Sequence, residues 1–323
     1  MGRGTGDGAR PVPDAALAAE GLHRIDLPMR SVSPKVRQVN AWRLTRPDGS
    51  ADLYDTGTAD ASAAAGLARG LRGIARLGAV VVGHAHSDHT GQAHALRAAH
   101  GADLLAPMDP SPPPADPEAA RQDFLRFVGL PGFAGREAPP WRAEGARPVA
   151  GGATLRLGRH LWRAEIQGGH APASLLLLSE CGRFLISADQ LLPGIGSFVG
   201  VPVHRPEEDT LARQIAHMRR LAKLSPDVTA LPGHGPAFTG IPAVADWQVA
   251  SYQRRLERLL GVLGNGPATC AALTESLFHP PTSDLGRMVQ LRMAAALCNR
   301  LLAEGEAVAA WTPEGARLFA RAG

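Results

Sequence analysis

The stretch VVVGHAHSDHTGQAHAL, residues 80–96, places four metal-capable side chains, His84, His86, Asp88 and His89, directly after a run of valines. On an extended chain the side chains at 84, 86 and 88 share one face, because the strand period is two, whereas His89 points elsewhere. On a helix His84 and His86 would diverge by roughly 200°. The motif therefore belongs to a loop at a strand end, which offers His84 and His86 to one metal ion and Asp88 and His89 to a second. Two imidazoles on one ion and a carboxylate with an imidazole on the other suit zinc first, and iron or manganese after it. Chance is a poor account of the pattern, since a random HxHxDH in a chain of this composition has a probability on the order of one in a thousand. Helix capping would explain Asp88 or Ser87 but not three histidines.

Four ligands do not complete two tetrahedral ions, so a further His, a carboxylate and another His are expected at other strand ends. IQGGHAPAS offers His170, FLISADQLLPG offers Asp189 and TALPGHGPAF offers His234. Each follows an apolar strand and sits among Gly or Pro, where the backbone turns sharply and side chains project from a sheet edge.

Around these sites the chain alternates strand-like and helix-like runs. HRIDLPM, VNAWRLT and ADLYDTG read as strands, residues 60–76 as a helix, GAVVVGH as a buried strand and 90–100 as a helix. The Pro-rich MDPSPPPADPE (108–118) cannot hold a ladder; with a helix at 118–129 and irregular chain to 150 it forms an insertion expected to rim a substrate pocket. Further strands at TLRLG, LWRAEIQ, SLLLLS, RFLISAD and VTALPGHG are joined by a helix at 207–223, and a long Arg-rich helix covers 242–262.

Length and composition fit one large and one small globular unit: 323 residues, 45% apolar and 20% charged. The Ala, Gly and Arg content is that of a high-GC bacterial genome. Three dispersed cysteines, Cys181, Cys270 and Cys298, imply no disulfide framework and suit a reducing compartment. With no apolar leader and no apolar run of about 18 residues, a soluble cytoplasmic protein without membrane contact is expected. The net charge of +4 mildly favours anionic partners.

The ordered set HxHxDH, His, Asp, His resembles the metallo-β-lactamase-fold hydrolases, the glyoxalase II-like superfamily, along most of residues 20–250. The resemblance implies an α/β, four-layer αββα sandwich with the metals at one edge. It implies that His84, His86 and His170 hold a first zinc and Asp88, His89 and His234 a second, with Asp189 bridging them. Asp55, in LYDTG, matches a family carboxylate behind the site, where it would fix the tautomer of a ligand imidazole; a plain turn role is the alternative. Two such ions would hold a bridging water as hydroxide and polarise a carbonyl or phosphoryl oxygen. Asp88 would orient the hydroxide and accept its proton as the catalytic base. His204 is a candidate pocket residue. Gly83 and GGHAPAS depart from commoner family forms, which marks the surroundings of Ser174 as a place where the pocket differs. His94, His100, His160, His217 and His279 have no matching partners and read as surface or packing residues.

Residues 266–323 read as two helices followed by the strand-like EAVAAWTPEG and resemble the winged-helix-like extension of many superfamily members. Arg287, Arg292 and Arg300 would form its basic face if it bound DNA; the LRMAAALCNRLL pattern instead favours a helix packed against the sandwich. The expected organisation is a flexible arm (1–20), a catalytic domain (21–262) and a winged-helix-like C-terminal domain (263–323). The expected activity is binuclear hydrolysis of a small acyl substrate, a thioester, ester or lactone, linked to coenzyme A or a carrier protein. Phosphodiester or nucleic-acid cleavage is the runner-up, and a non-hydrolytic metal-binding or redox role is the reading from another class.

Overall fold

Val80, Val81 and Val82 are all buried, yet they enter two different cores. Val81 faces inward with Trp42, Tyr54 and Leu105, while Val80 and Val82 face outward with Leu53, Leu67 and Ala93. A strand covered on both faces reads as a continuous apolar run, and its period of two divides that run between layers. The computed structural model, which describes residues 6–29, 36–109, 114–135 and 141–323, extends this division along the chain.

The elements begin β1 (Arg10–Pro11), α1 (Asp14–Ala19), β2 (Leu22–Pro28), β3 (Gln38–Thr45), β4 (Ala51–Tyr54), α2 (Ala61–Gly70), β5 (Leu77–Val81), α3 (Ser87–Thr90), α4 (Ala93–His100), β6 (Asp103–Pro107) and α5 (Pro117–Phe127). They continue β7 (Arg147–Val149), β8 (Thr154–Leu157), β9 (His160–Gln167), β10 (Ser174–Ser179), β11 (Phe184–Ala188), α6 (Thr210–Leu221), β12 (Thr229–Pro232), β13 (Phe238–Thr239) and α7 (Ile241–Leu263). The C-terminal elements are β14 (Ala268–Thr269), α8 (Cys270–Leu277), α9 (Asp284–Ala303), β15 (Ala307–Trp311) and β16 (Arg317–Arg321).

One sheet has the order β2-β3-β4-β5-β6-β7, antiparallel as far as β4 and parallel from β4 onward. The other has the order β1-β13-β12-β11-β10-β9-β8, with β11 and β12 parallel. Their inner faces meet through Trp42, Tyr54 and Val81 against Trp162, Leu175, Leu177 and Ile186. Leu67 of α2 and Ala93 of α4 cover the first sheet, and Met218 of α6 with Ile241 and Val244 of α7 cover the second, giving four αββα layers. Asp60 and Asp209 accept the first free N–H groups of α2 and α6, each cap stabilising by about 0.5–2 kcal/mol. The sheets are also tied by hydrogen bonds. Trp42 Nε1 donates to Pro232 O (3.0 Å), Asn40 Nδ2 donates to Gly235 O (2.7 Å), and the Tyr54 hydroxyl donates to Leu175 O. On the second sheet's side these ties end at Pro232 and Gly235, which flank His234, and at Leu175, just after His170.

The C-terminal residues form two helices and a three-stranded sheet, β14-β16-β15. Leu273, Leu291, Ala295 and Phe319 of this unit share one core with Leu256, Leu259 and Leu263 of α7 and with Phe124 and Phe127 of α5. Helix α7 thus serves the sandwich with its first half and the C-terminal unit with its second. Arg287 donates to Thr274 Oγ1 (2.8 Å), Arg292 to Val201 O (2.8 Å) and Arg300 to Asp209 (2.9 Å). These three arginines bind the unit together and to the sandwich, rather than forming a solvent-facing basic surface.

Three expectations need correction. Residues 6–20 are not a loose arm: β1 pairs with β13, and Leu17 is buried between the sheets. Only the part of the expected arm at 1–5 lies outside the described residues. The insertion at 108–150 does not simply rim a pocket, because α5 is committed to the C-terminal core and β7 extends the first sheet; its residues 110–113 and 136–140 lie outside the described residues. The strand-like EAVAAW acquires a partner that was not expected, β16, which makes the end of the chain a hairpin. Among the described residues, no helix is long and apolar enough to cross a membrane.

Candidate metal centre

The central strand β5 ends at Val81, the chain bends through Gly83–Ala85, and His86, with extended backbone (φ −71°, ψ 146°), caps the one-turn helix α3. The change from extended to helical backbone sends His84 and His86 one way and Asp88 and His89 another. Helix α3 is seated on the loop after β4: Thr56 N–H and its hydroxyl both donate to His89 O at 2.9 Å. Among the described residues the two non-glycines with positive φ are Asp55 (63°) and Ala188 (46°), both at the ends of strands reaching this site. Such backbone costs of order 1–3 kcal/mol per residue and persists where the surroundings over-determine it.

Seven side chains converge from four strand ends. His84 Nε2 lies 3.0 Å from His86 Nδ1 and 3.1 Å from His170 Nε2. His89 Nε2 lies 3.5 Å from Asp88 Oδ2 and 3.4 Å from Asp189 Oδ2; His234 Nε2 lies 3.5 Å and 3.1 Å from the same two oxygens. Asp189 Oδ2 is also 3.6 Å from His170 Nε2, so this one oxygen faces both groups. Three sets, His84–His86–His170, His84–His89–Asp189 and Asp88–His89–His234, each bring their ligand atoms within 4.8 Å of one another.

The outer nitrogens decide what the inner ones carry. His89 Nδ1 is 2.6 Å from Asp55 Oδ2, His170 Nδ1 is 2.9 Å from Phe198 O and His234 Nδ1 is 2.7 Å from Gln38 O. Each outer nitrogen donates its proton, so in the neutral ring each Nε2 turns a lone pair inward. With every ring neutral, the Nε2 lone pairs of His89, His170 and His234 would face the carboxylates of Asp88 and Asp189 at 3.1–3.6 Å, a repulsion that protons on His89 and His234 relieve where no cation does. His89 Nε2 and Asp189 Oδ1 are buried without a hydrogen-bond partner. A cation resolves that conflict. With metal–ligand bonds of about 2.0–2.1 Å, tetrahedral ligand atoms stand about 3.3–3.4 Å apart, the range in which these contacts of 3.0–3.6 Å lie.

Electrostatics divides the cluster in the same way. Burial, with the neighbouring imidazoles, holds His84 well below the ordinary histidine range, lowers His86 to about 3 and lowers His170. Burial works against charge on His89 and His234 too, but Asp189 and its neighbours prevail, raising His89 well above the usual range and His234 to about 10. Asp88 and Asp189 stay ionised despite burial, held down by His89 and His234. One group presents neutral imidazoles; in the other, protons on His89 and His234 balance the two carboxylates, and a bound cation would take the place of those protons.

Asp55 stands behind His89 and also accepts Gly83 N–H at 2.6 Å, which fixes both the carboxylate and the ring it orients. A Cβ at Gly83 would meet the Tyr54 ring and hydroxyl, so the bulk of Tyr54 accounts for glycine ahead of the motif. Ser174 does not line a pocket. It lies on the face of β10 shared with Leu176, is fully buried, and its hydroxyl accepts from Gln190 Nε2 at 3.1 Å. His204 is half-buried in the field of Arg205, Asp109 and Arg292, and burial lowers its pKa; among the described residues it makes no hydrogen bond to the cluster. His94 stacks on Trp141, and His217 is buried beside Arg220. Sequence reasoning missed Gly233, where a Cβ would overlap Asp189, and the carbonyls of Phe198 and Gln38. The Gly in PGHG was a visible signal for the first; a carbonyl leaves none.

The family model described as metallo-beta-lactamase superfamily matches residues 34–234. Among solved structures the chain is similar to a beta-lactamase domain protein from Burkholderia ambifaria, at 23% identity and TM-score 0.78 over 99% of this chain and 96% of that one. It is similar to a metallo-beta-lactamase family protein from Thermus thermophilus, at 23% identity and TM-score 0.77 over 93% and 98%. A subclass B3 metallo-beta-lactamase of Bradyrhizobium japonicum is more distant, at 16% identity and TM-score 0.51 over 76% and 94%. A search of the curated proteins finds no match. The first two likenesses span the C-terminal unit as well as the sandwich, and they establish the fold.

Proposed function

The chain belongs to the metallo-beta-lactamase superfamily, and from that premise we propose that it is a binuclear metal-dependent hydrolase acting on a small acyl substrate, a thioester or an ester or lactone. The observation that carries the metal reading is the convergence of imidazole nitrogens and carboxylate oxygens at 3.0–3.6 Å. His84, His86 and His170 would hold one ion, Asp88, His89 and His234 the other, and Asp189 both. Zinc suits this mixture of imidazole and carboxylate. When bound, such ions supply Lewis acidity, activating water near neutral pH and polarising the substrate's carbonyl.

The chain's own residues do the rest. Asp88, like His86, is a partly exposed member of the cluster, with 19% of its side chain accessible, and its carboxylate would orient the attacking water and accept its proton. Asp55 keeps His89 in one tautomer, and the Gln38 carbonyl does the same for His234. The Phe198 ring, centred 6.5 Å from His86 and 6.0 Å from His170, supplies an apolar wall suited to an acyl group. Arg287, Arg292 and Arg300 are engaged in internal bonds, which supports a small substrate over a nucleic-acid track. The net charge of +4 favours a phosphate-bearing carrier such as a coenzyme A or carrier-protein thioester.

Zinc-loaded protein assayed on thioester, lactone, β-lactam and phosphodiester substrates tests the reading. The highest kcat/KM is expected on a thioester or ester. A phosphodiester kcat/KM above that of every acyl compound would overturn the substrate class while leaving the metal centre standing.

A further inference from the structure

The loop from Gln190 to Phe198 joins two parts of the centre: it begins next to Asp189 and ends at the carbonyl that receives His170 Nδ1–H. Two of its residues, Gly194 (φ 71°) and Gly196 (φ 74°), have left-handed backbone, so its own covalent geometry does little to hold its ends in place. It is held from outside: Gln214 of α6 donates to Gln190 O (2.9 Å), Asp7 accepts Gly194 N–H, and α7 reaches both of its ends. Gln248 Nε2 donates to Gln190 O (3.1 Å), and Gln248 Oε1 accepts Leu192 N–H (3.2 Å). The Tyr252 hydroxyl donates to Ser197 O (3.1 Å), one residue before the carbonyl that orients His170, and accepts from Gln248 Nε2 (3.1 Å). Gln248 and Tyr252 are one helical turn apart and buried. A primary amide and a phenol buried at these positions give up water, which the loop backbone, each other and Met218 Sδ replace.

Resting on the metal-centre reading above, we infer that Gln248 and Tyr252 are positioning residues for the centre: they hold both ends of loop 190–198 and thereby set where Asp189 and His170 point. They touch no ligand atom and act through the backbone. The second half of α7 is packed into the C-terminal core, so the same helix couples that unit to the geometry of the metals.

The test compares Tyr252→Phe, Gln248→Leu and a control, Thr274→Val, which removes a buried hydroxyl of the C-terminal core bonded to Ala271 O. Zinc affinity is measured by chelator competition, and coordination by the absorption of the cobalt-loaded protein. Tyr252→Phe and Gln248→Leu are each expected to weaken at least one ion by about tenfold or more, with an altered cobalt spectrum. Thr274→Val is expected to bind both ions as the wild type does, whatever its Tm. Should Gln248→Leu fail to fold, the milder Tyr252→Phe decides alone. Wild-type affinity and spectrum in Tyr252→Phe overturn the inference, as does a metal loss in Thr274→Val that matches its loss of Tm. Failure of the wild type itself to bind metal would strike the proposed function instead.

Discussion

His89 donates its Nδ1 proton to Asp55 and turns Nε2 to Asp88 and Asp189, and the proton balance of the centre follows. Without metal, His234, raised to about 10, and His89 are charged at pH 7, while His84, His86 and His170 are neutral. Metal loading should therefore release about two protons per chain at pH 7, read by calorimetry in buffers of different ionisation enthalpy; release near zero would contradict the assignment. The sign for stability is definite. The contribution of His234 is full below its unfolded value of about 6.5 and disappears as pH rises through about 10. Those of Asp88 and Asp189 are present above about 3.9 and are lost as pH falls through their depressed values. His84, His86 and His170, held neutral in the fold, cost stability as pH falls below about 6.5, so metal-free protein should be most stable near pH 6.5, whereas metal affinity rises with pH; thermal melts across pH check both. Asp55→Asn is expected to weaken metal binding by about 10- to 100-fold, measured by chelator competition. The converging residues were legible because their residue types are chemically rare in that order. Of the two places expected for Ser174, behind the site or lining the pocket, its burial and its bond to Gln190, next to Asp189, suit the first.

Strands with a period of two and long amphipathic helices were legible element by element; short elements that depend on distant partners were not. β1 has two residues and exists through β13, and the Gly- and Ala-rich segment around it has no period of its own to announce that it docks. Leu17→Ala should destabilise the protein by about 2–5 kcal/mol, because its side chain is buried between the sheets. Denaturant unfolding checks this, and no measurable change would restore the loose arm. The hairpin β15–β16 was half seen for the same reason: RLFAR carries two arginines and becomes a strand only through pairing with β15 and β14.

At the scale of the molecule, the sandwich was legible through the resemblance that its metal-capable residues carry, while the sharing of α7 and α5 with the C-terminal unit was not, because hydrophobic periodicity shows that a face is buried without showing against what. Truncation after Leu263 would expose Tyr252, Leu256 and Leu259 together with Phe124 and Phe127. It is expected to yield protein that aggregates or melts far below the full chain; a truncated sandwich with an unchanged Tm and metal content would refute the shared core. The claim on which the functional account rests is that the seven converging side chains are a two-ion site. Elemental analysis of purified protein, before and after zinc reconstitution, tests it most directly, with Asp189→Ala and His204→Ala alongside. The expected result is close to two ions per chain in the wild type and in His204→Ala, with a marked loss in Asp189→Ala. No retained metal and no uptake of zinc by the folded wild type, or equal metal content in all three proteins, would contradict it.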